Sequence, residues 1–275
     1  KMLLQRVLTI GLMLFPAGIG AAAAQDGSQL AVPVARWNLD YGEHRCALGR
    51  RLGGQQSPVF ILSSYLGRDE PEIIIVRDGS ERLPDLPRNI TLVLDPDGQV
   101  EEARAFRYRT AGREAIRIEG IAEGFFDRFA ASGAVGIDAG NRRRLTLRIP
   151  GARAAIEGLR ACNDDLLRSW GIDVGAQATY RRQATIVRGS ISNADYPAQA
   201  IRANQAGVVV VRMRVRVDGR ASDCVVLVSS RAEALDSTTC TIATGRFRFD
   251  PALDAQGNPI ETTYIQTVRW MMPEY

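Results

Sequence analysis

The sequence predicts an α+β protein. A mostly-β N-terminal domain with one long packing helix is followed by a small domain of two helices and three antiparallel strands. Three patterns lead to this prediction. Short apolar segments separated by Gly-containing turns occupy residues 59–149, an apolar stripe at helical spacing occupies residues 152–170, and a hairpin pattern occupies residues 207–230.

The first 24 residues have the composition of a signal peptide. Lys1 and Arg6 give a positive start, residues 7–19 are apolar, and a run of alanines before Gln25 fits a small-residue cleavage site. The apolar run is shorter than the roughly 20 residues that a membrane span needs. We therefore expect export and removal of residues 1–24, whereas a retained segment would form a short inner-membrane anchor.

The composition excludes several classes of function. Lys1 is the only lysine and His44 the only histidine, so Schiff-base chemistry, a P-loop lysine and a multi-histidine zinc site are not expected. His44 lies in a polar stretch and is expected in an exposed turn. Loss of Lys1 and Arg6 lowers the formal net charge from +4 to about +2. The charge therefore gives no reason to expect a nucleic-acid partner, and none is expected for an exported protein. We predict no catalytic residue, no metal and no cofactor.

The four cysteines are expected to form disulfide bonds, because an even number in an exported chain is typical of disulfide pairing. Three pairings of Cys46, Cys162, Cys224 and Cys240 are conceivable. We favour Cys46–Cys162 and Cys224–Cys240, since each pair then lies within one predicted domain.

The N-terminal domain is predicted at residues 30–172. Its helices are expected at residues 125–131 and 152–170, the second with Cys162 on its apolar stripe and Gly171 as its C-terminal cap. The predicted strands, punctuated by turns, are residues 59–65, 72–77, 89–95, 100–108, 114–119 and 144–149.

The C-terminal domain is predicted at residues 191–275, after a linker at 173–190 that lacks clear periodicity. Its first strand alternates valines and Met213 with arginines, which predicts one apolar face and one cationic face that stays uncovered. Asp218-Gly219 favours a type I′ turn. The remaining predicted elements are helices at 197–205 and 235–244, the latter ending at Gly245, a strand at 221–228 and a last strand at 260–270.

The order of motifs in this part resembles the C-terminal domain of TonB, the periplasmic energy transducer of Gram-negative bacteria. The resemblance covers about residues 190–273, less than a third of the chain, and Met213 stands where the family often has Phe. The motifs are Tyr196-Pro197 with Ala200, the strand from Gly207 to Asp218-Gly219, Ser229-Ser230, Leu235-Asp236, Phe249 with Pro251-Ala252, and a closing strand that ends at Trp270.

The resemblance implies a non-enzymatic periplasmic protein that binds a TonB-dependent outer-membrane receptor or another envelope protein. In this family a short receptor segment is added as a strand beside the last strand, in TonB-dependent transmembrane transport. The site residues implied are Asn193, Asp195 and Tyr196 around the Tyr-Pro motif and Tyr264, Gln266 and Val268 on the last strand.

Two departures from the family leave an alternative open. The predicted linker is short and lacks proline, unlike the long Pro-rich spacer of TonB, and Asn193-Ala194 stands where the family often has Gln-Pro. The alternative is an envelope structural protein that uses the TonB-like fold only as an interaction module. In that case the same strand edge would pair two copies of the chain as a homodimer.

Overall fold

The protein is α+β, with a large N-terminal sheet and few helices. The predicted signal peptide at residues 1–24 lies outside the described residues, and the division into domains at 30–172 and 191–275 stays a prediction. We call residues 29–172 the N-terminal region and residues 173–272 the C-terminal region. The computed structural model describes residues 29–53, 58–64, 66, 70–77, 88–110, 113–138 and 144–272.

One ten-stranded sheet dominates the N-terminal region, with the order β1-β10-β9-β6-β7-β8-β5-β4-β3-β2. All six predicted strands are present, and four short strands that the sequence did not predict (β1, β2, β3 and β9) complete the sheet. The strands are β1 (Gln29–Ala31), β2 (Asn38–Tyr41), β3 (Cys46–Arg51), β4 (Val59–Ser64), β5 (Pro71–Arg77), β6 (Arg88–Asp95), β7 (Gln99–Thr110), β8 (Arg113–Glu119), β9 (Ala134–Asp138) and β10 (Arg144–Arg148).

The first described segment, residues 29–34, contacts both ends of this sheet. β1 pairs in parallel with β10, and just beyond β1 the Val34 N–H donates to the Arg51 carbonyl at 3.1 Å. The Gly53 N–H donates in turn to the Val32 carbonyl at 2.8 Å. These bonds pair backbone groups near both ends of the sheet that would be unpaired at an open sheet edge.

Two helices, α1 (Phe125–Ala131) and α2 (Ala152–Ser169), pack on the sheet as predicted. The Gly171 φ angle of 76° and the bond from the Ile172 N–H to the Leu167 carbonyl end α2 in a left-handed cap. The largest fully buried side chains of this core include Phe60, Phe125, Phe129, Leu48, Leu92 and Ile156.

The C-terminal region is built on a three-stranded antiparallel sheet with the order β13-β12-β17. The predicted two helices and three strands correspond to α4, α5 and this sheet. The short elements around them were not predicted. The elements are α3 (Val174–Gln177), β11 (Thr185–Arg188), a 3-10 turn (Asn193–Asp195), α4 (Ala198–Arg202), β12 (Gly207–Val215), β13 (Ala221–Val228), α5 (Glu233–Arg246), β14 (Arg248–Asp250), β15 (Ala252–Leu253), β16 (Pro259–Ile260) and β17 (Thr262–Trp270).

Two local predictions for this region were wrong. Gly219 has a positive φ of 74° but Asp218 does not, so the hairpin turn is not type I′. The Gly219 N–H donates instead to the Arg216 carbonyl at 2.9 Å, which is a turn followed by one left-handed glycine. Gly245 does not end α5, because the helix continues to Arg246.

The segment predicted as the linker, residues 173–190, contains α3 and β11, and β11 pairs with β14. Ala184 is buried in the core of the C-terminal region, and the Arg181 N–H donates to the Leu253 carbonyl at 2.9 Å. These elements are four residues long, too short to show a period of 2 or 3.6 in the sequence.

One face of the three-stranded sheet is covered by the core, and the other is covered in part, because Arg214 and Arg216 stay exposed. Val209, Val211 and Met213 face the core beneath α5, as predicted. The opposite face, predicted as cationic and uncovered, is apolar where it meets the N-terminal region, and the Arg212 guanidinium donates to the Trp170 carbonyl at 3.1 Å. The buried side chains of this contact are Leu66, Leu167, Ile172, Val210 and Ile265.

A buried carboxylate marks the polar side of the same contact. Glu72 is 1% exposed, and its side chain is 2.7 Å from the Arg45 guanidinium, 4.0 Å from that of Arg117 and 3.8 Å from that of Arg269 on β17. His44 lies beside this cluster and is half-buried, so the prediction of an exposed turn histidine was wrong. Burial, together with the Arg45 and Arg269 charges, lowers the pKa of His44.

The structure pairs Cys46 with Cys162 and Cys224 with Cys240, the pairing favoured from the sequence. The Cα atoms are 6.1 Å apart in the first pair and 5.6 Å apart in the second, within the range that a disulfide bond bridges. The first bond joins β3 to α2, and the second joins β13 to α5.

We expect the two disulfide bonds to differ in their contributions to stability. The Cys46–Cys162 bond closes a sequence separation of 116 residues and the Cys224–Cys240 bond one of 16. Chain entropy then predicts that Cys46→Ala/Cys162→Ala lowers the free energy of unfolding by about 5 kcal/mol and Cys224→Ala/Cys240→Ala by about 3 kcal/mol. Urea unfolding without reductant measures both, and equal losses would contradict the loop-length argument.

We expect Glu72→Gln to destabilise the protein by roughly 2 kcal/mol, because three partly buried guanidinium groups lose their common anion. Glu157→Gln, on an exposed position of α2, is the matched control and should leave the urea midpoint unchanged. A Glu72→Gln midpoint equal to that of the control would show that the cluster does not hold the two regions together.

The free edge of the last strand as candidate binding site

β17 is paired along one edge only. Its ladder with β12 runs through nine residue pairs, from Gly207 opposite Trp270 to Val215 opposite Thr262. β17 ends the strand order of this sheet, and no other strand of the described chain pairs with it. We call the edge that faces away from β12 the outer edge of β17.

Two side-chain hydrogen bonds identify the backbone groups on the outer edge. The Thr263 carbonyl accepts from Gln177 Nε2 at 3.2 Å, and the Thr267 carbonyl accepts from Gln266 Nε2 at 2.8 Å. Because alternate residues of an antiparallel strand direct their N–H and C=O groups to the same edge, Ile265 and Arg269 share this orientation. The outer edge therefore presents the backbone groups of residues 263, 265, 267 and 269.

A groove of about 400 Å³ runs beside the C-terminal half of the outer edge. One wall is β17 from Gln266 to Trp270, extended by Met271. The opposite wall is a segment without helix or strand, together with the end of β11 and the start of the chain after α5. Its residues are Ile186, Gly189, Ser190, Ile191, Ser192, Asn193 and Phe247.

The opposite wall depends on a glycine that lies against the end of α5. Gly189 has a φ of 97°, and a Cβ atom there would be 2.7 Å from the Arg246 carbonyl oxygen. Any side chain would therefore push the segment away from α5. β11 places this glycine through its pairing with β14, in which Ile186 lies opposite Phe249.

An ion pair fixes the next part of the wall. The Arg246 guanidinium makes two bonds to the Asp195 carboxylate, at 2.7 and 2.9 Å, and a third to the Ser190 carbonyl at 2.9 Å. The Ser192 N–H donates to the same carboxylate at 2.9 Å. The Arg246 bonds, followed by the Ser192 bond, lower the pKa of Asp195 to about 2.

Part of this region matches a known protein family. Residues 192–272 match the family model of the Gram-negative bacterial TonB protein C-terminal domain. They form a TonB C-terminal domain. The resemblance noted in the sequence is thereby confirmed for this part of the chain, and it indicates a TonB-like envelope protein. The search of curated proteins found no match.

In this TonB C-terminal domain three of the predicted site residues have buried side chains. Tyr196 stacks edge-on against Trp270, with ring centroids 5.2 Å apart, and its hydroxyl donates to the Gln205 carbonyl. Tyr264 packs edge-on against Phe249 at 4.8 Å, and Val268 belongs to the same core. These side chains shape the core of the domain. The backbone groups of Tyr264 and Val268 face β12, and Val268 also forms part of the groove wall.

The other three predicted site residues lie at or beside the groove. Asn193 and Gln266 line it, and Asp195 holds its wall through Arg246. The sequence prediction missed Ile186, Gly189 and Phe247, as well as Gln177 on α3. The first two and Gln177 lie in the predicted linker, where no periodic pattern marked them as structural.

Two further findings concern the described part of the chain. None of its helices combines the length and the apolar composition needed to cross a membrane. Within the same residues, no group of three His, Cys, Asp or Glu side chains is arranged to hold a metal ion.

We expect Asp195 to make stability depend on acid pH. Its folded-state pKa of about 2 lies below its ordinary value of 3.8, so the stabilisation is complete above the ordinary pKa and is lost as pH falls through about 2. Asp195→Asn should lower the free energy of unfolding at pH 7 and flatten its decline between about pH 4 and pH 2.

The measurement is urea unfolding at a series of pH values. Asp97→Asn, on an exposed turn of the N-terminal region, serves as the control and should retain the wild-type pH profile. A parallel shift of the Asp195→Asn curve at all pH values would contradict the assignment to the Arg246 ion pair.

Proposed function

We propose that this protein is a non-enzymatic, periplasmic TonB-like protein that binds an extended segment of a partner by strand addition to β17. The partner is a TonB-dependent outer-membrane receptor or another envelope protein, and the process served is TonB-dependent transmembrane transport. The observation that carries the proposal is the outer edge of β17, which faces a groove over residues 266–271.

The backbone of β17 supplies the attraction. Edge strands present unpaired N–H and C=O groups that an extended peptide can satisfy, and each bond contributes about 1 kcal/mol net. The groove adds contacts to alternate side chains of the peptide, since Ile186, Ile191, Phe247 and Met271 line it. A segment with apolar residues at every second position fits this arrangement.

Three observations support a periplasmic location. The signal-peptide composition of residues 1–24, the two disulfide pairs and the TonB C-terminal domain all agree with an oxidising envelope compartment. If residues 1–24 are removed, the protein acts as an adaptor or binding module. If they are retained, they anchor it to the inner membrane as a transducer.

The alternative function is an envelope structural protein that dimerises through the same edge. A second copy of β17, running antiparallel, would satisfy the same backbone groups as a peptide. The two functions differ in what a peptide does, because a peptide that binds the outer edge would compete with the dimer.

We expect a synthetic seven-residue peptide from the N-terminal box of a TonB-dependent receptor to bind the purified protein. Two versions of the peptide are made, each N-methylated on alternate amides. The methyl groups face β17 in one version and face away from it in the other. Methylation of the amides that face β17 should abolish binding, because each methyl removes a donor at the outer edge. Methylation in the other frame should leave binding intact, and isothermal titration calorimetry measures both peptides.

Thr267→Pro is the matching change in the protein. It removes an outer-edge N–H while leaving the ladder with β12 paired, so it should also abolish binding. Equal affinity for both methylated peptides would overturn strand addition. A dimer in analytical ultracentrifugation that ignores the peptide but is lost in Thr267→Pro would favour the structural alternative.

A further inference from the structure

The outer edge of β17 is not open along its whole length. The groove lies beside residues 266–271, and residues 262–265 do not line it. At Thr263 the edge meets α3, whose Gln177 side chain donates to the Thr263 carbonyl at 3.2 Å. The outer edge is therefore covered at Thr263 and open beside the groove.

Gln177 is held in place by bonds to its own segment. Asp173 caps α3 by accepting from the Ala176 N–H at 2.9 Å, and Gln183 Nε2 donates to the Gln177 carbonyl at 2.7 Å. Val174, at the start of α3, packs in the apolar contact that contains Ile265. These contacts hold the backbone of α3 in place, so the Gln177 side chain starts from a fixed position beside β17.

The bond of Gln177 occupies the position of a partner strand. An N–H group of an added strand would approach the Thr263 carbonyl at about 2.9 Å, close to the 3.2 Å at which the Gln177 amide already lies. A partner can pair with Thr263 only if it displaces Gln177 from that position.

Gln266 also covers an outer-edge carbonyl, but it differs from Gln177 in its placement. It lies on β17 itself, and its amide donates to the neighbouring Thr267 carbonyl at 2.8 Å. Its side chain is half-buried at the open groove. This bond lies within β17 and places no other segment across the outer edge, so Gln266 does not limit the strand.

We propose that Gln177 determines the length of the segment that β17 accepts. The proposal rests on strand addition as the proposed function. The accepted partner is a short extended segment of about five residues, which pairs with the backbone of Ile265, Thr267 and Arg269 and leaves the sheet before Thr263. At about 3.4 Å per residue such a segment matches the length of the groove wall from Gln266 to Met271.

The test uses two peptides of alternating Val and Thr, five and nine residues long. Wild-type protein should bind both with the same affinity, because the additional residues find no outer-edge groups to pair with. Gln177→Ala should bind the nine-residue peptide about 5- to 10-fold more tightly than wild type, since one or two further hydrogen bonds form. Its affinity for the five-residue peptide should not change.

Amide hydrogen exchange followed by NMR locates the pairing directly. In wild type both peptides should protect the Ile265, Thr267 and Arg269 amides and leave the Thr263 amide unprotected. In Gln177→Ala the longer peptide should protect Thr263 as well. Gln199→Ala, an exposed glutamine on α4, is the control for loss of an amide side chain, and thermal unfolding confirms that both variants are folded.

The outcomes separate this proposal from the proposed function. Protection of Thr263 by the nine-residue peptide in wild type would overturn the length limit while leaving strand addition in place. An unchanged boundary in Gln177→Ala would overturn the role of Gln177. Absence of both binding and protection at Thr267 and Arg269 would contradict strand addition itself.

Discussion

The structure of the C-terminal region depends on the placement of β17 between two cores. Its even-numbered side chains Tyr264, Val268 and Trp270 pack beneath α5, and Ile265 on the other face packs against the N-terminal region. The edge toward β12 is fully paired. What β17 can still offer a partner is therefore the backbone of its outer edge. Recognition through that edge reads the extended conformation of a segment first and its side chains second.

The N-terminal region is part of this arrangement because it covers the face that isolated three-stranded sheets leave to solvent. The apolar contact around Leu167 and Val210 buries apolar surface, but it does not by itself fix the orientation of the two regions. The 2.7 Å contact between Arg45 and Glu72, with Arg269 of β17 beside it, adds directional charge contacts. A buried carboxylate shared by both regions opposes sliding, because any shift that separates it from the guanidinium groups leaves a buried charge without its partner.

Much of the fold could be predicted because its signals are long or chemically distinctive. Alternation through Val209, Val211 and Met213 predicts β12, and the apolar stripe through Cys162 predicts α2. The cysteine pairing followed from domain placement. The short elements could not be predicted, since β11 and α3 have four residues each and no period can be measured over so few.

The candidate site was predicted only in part, for a related reason. The last strand and strand addition beside it were inferred from the family resemblance, with Tyr264, Gln266 and Val268 as its site residues. Their backbone groups are directed toward β12 and not to the outer edge. Sequence does not show which edge a residue faces, because that depends on the strand pairing. The wall opposite β17 comes from Gly189 and its neighbours, and their role arises from a tertiary contact with Arg246 that local sequence does not encode.

An open strand edge attracts any extended chain, and proteins that keep one must limit it. Here Gln177 of α3 lies outside the sheet and covers the Thr263 carbonyl, whereas the bond of Gln266 to the Thr267 carbonyl lies within β17 itself. The edge that remains spans only the length of the groove. Indiscriminate pairing of long strands is thereby disfavoured, while a short segment whose alternate side chains fit between Ile191 and Met271 gains both backbone bonds and apolar contacts.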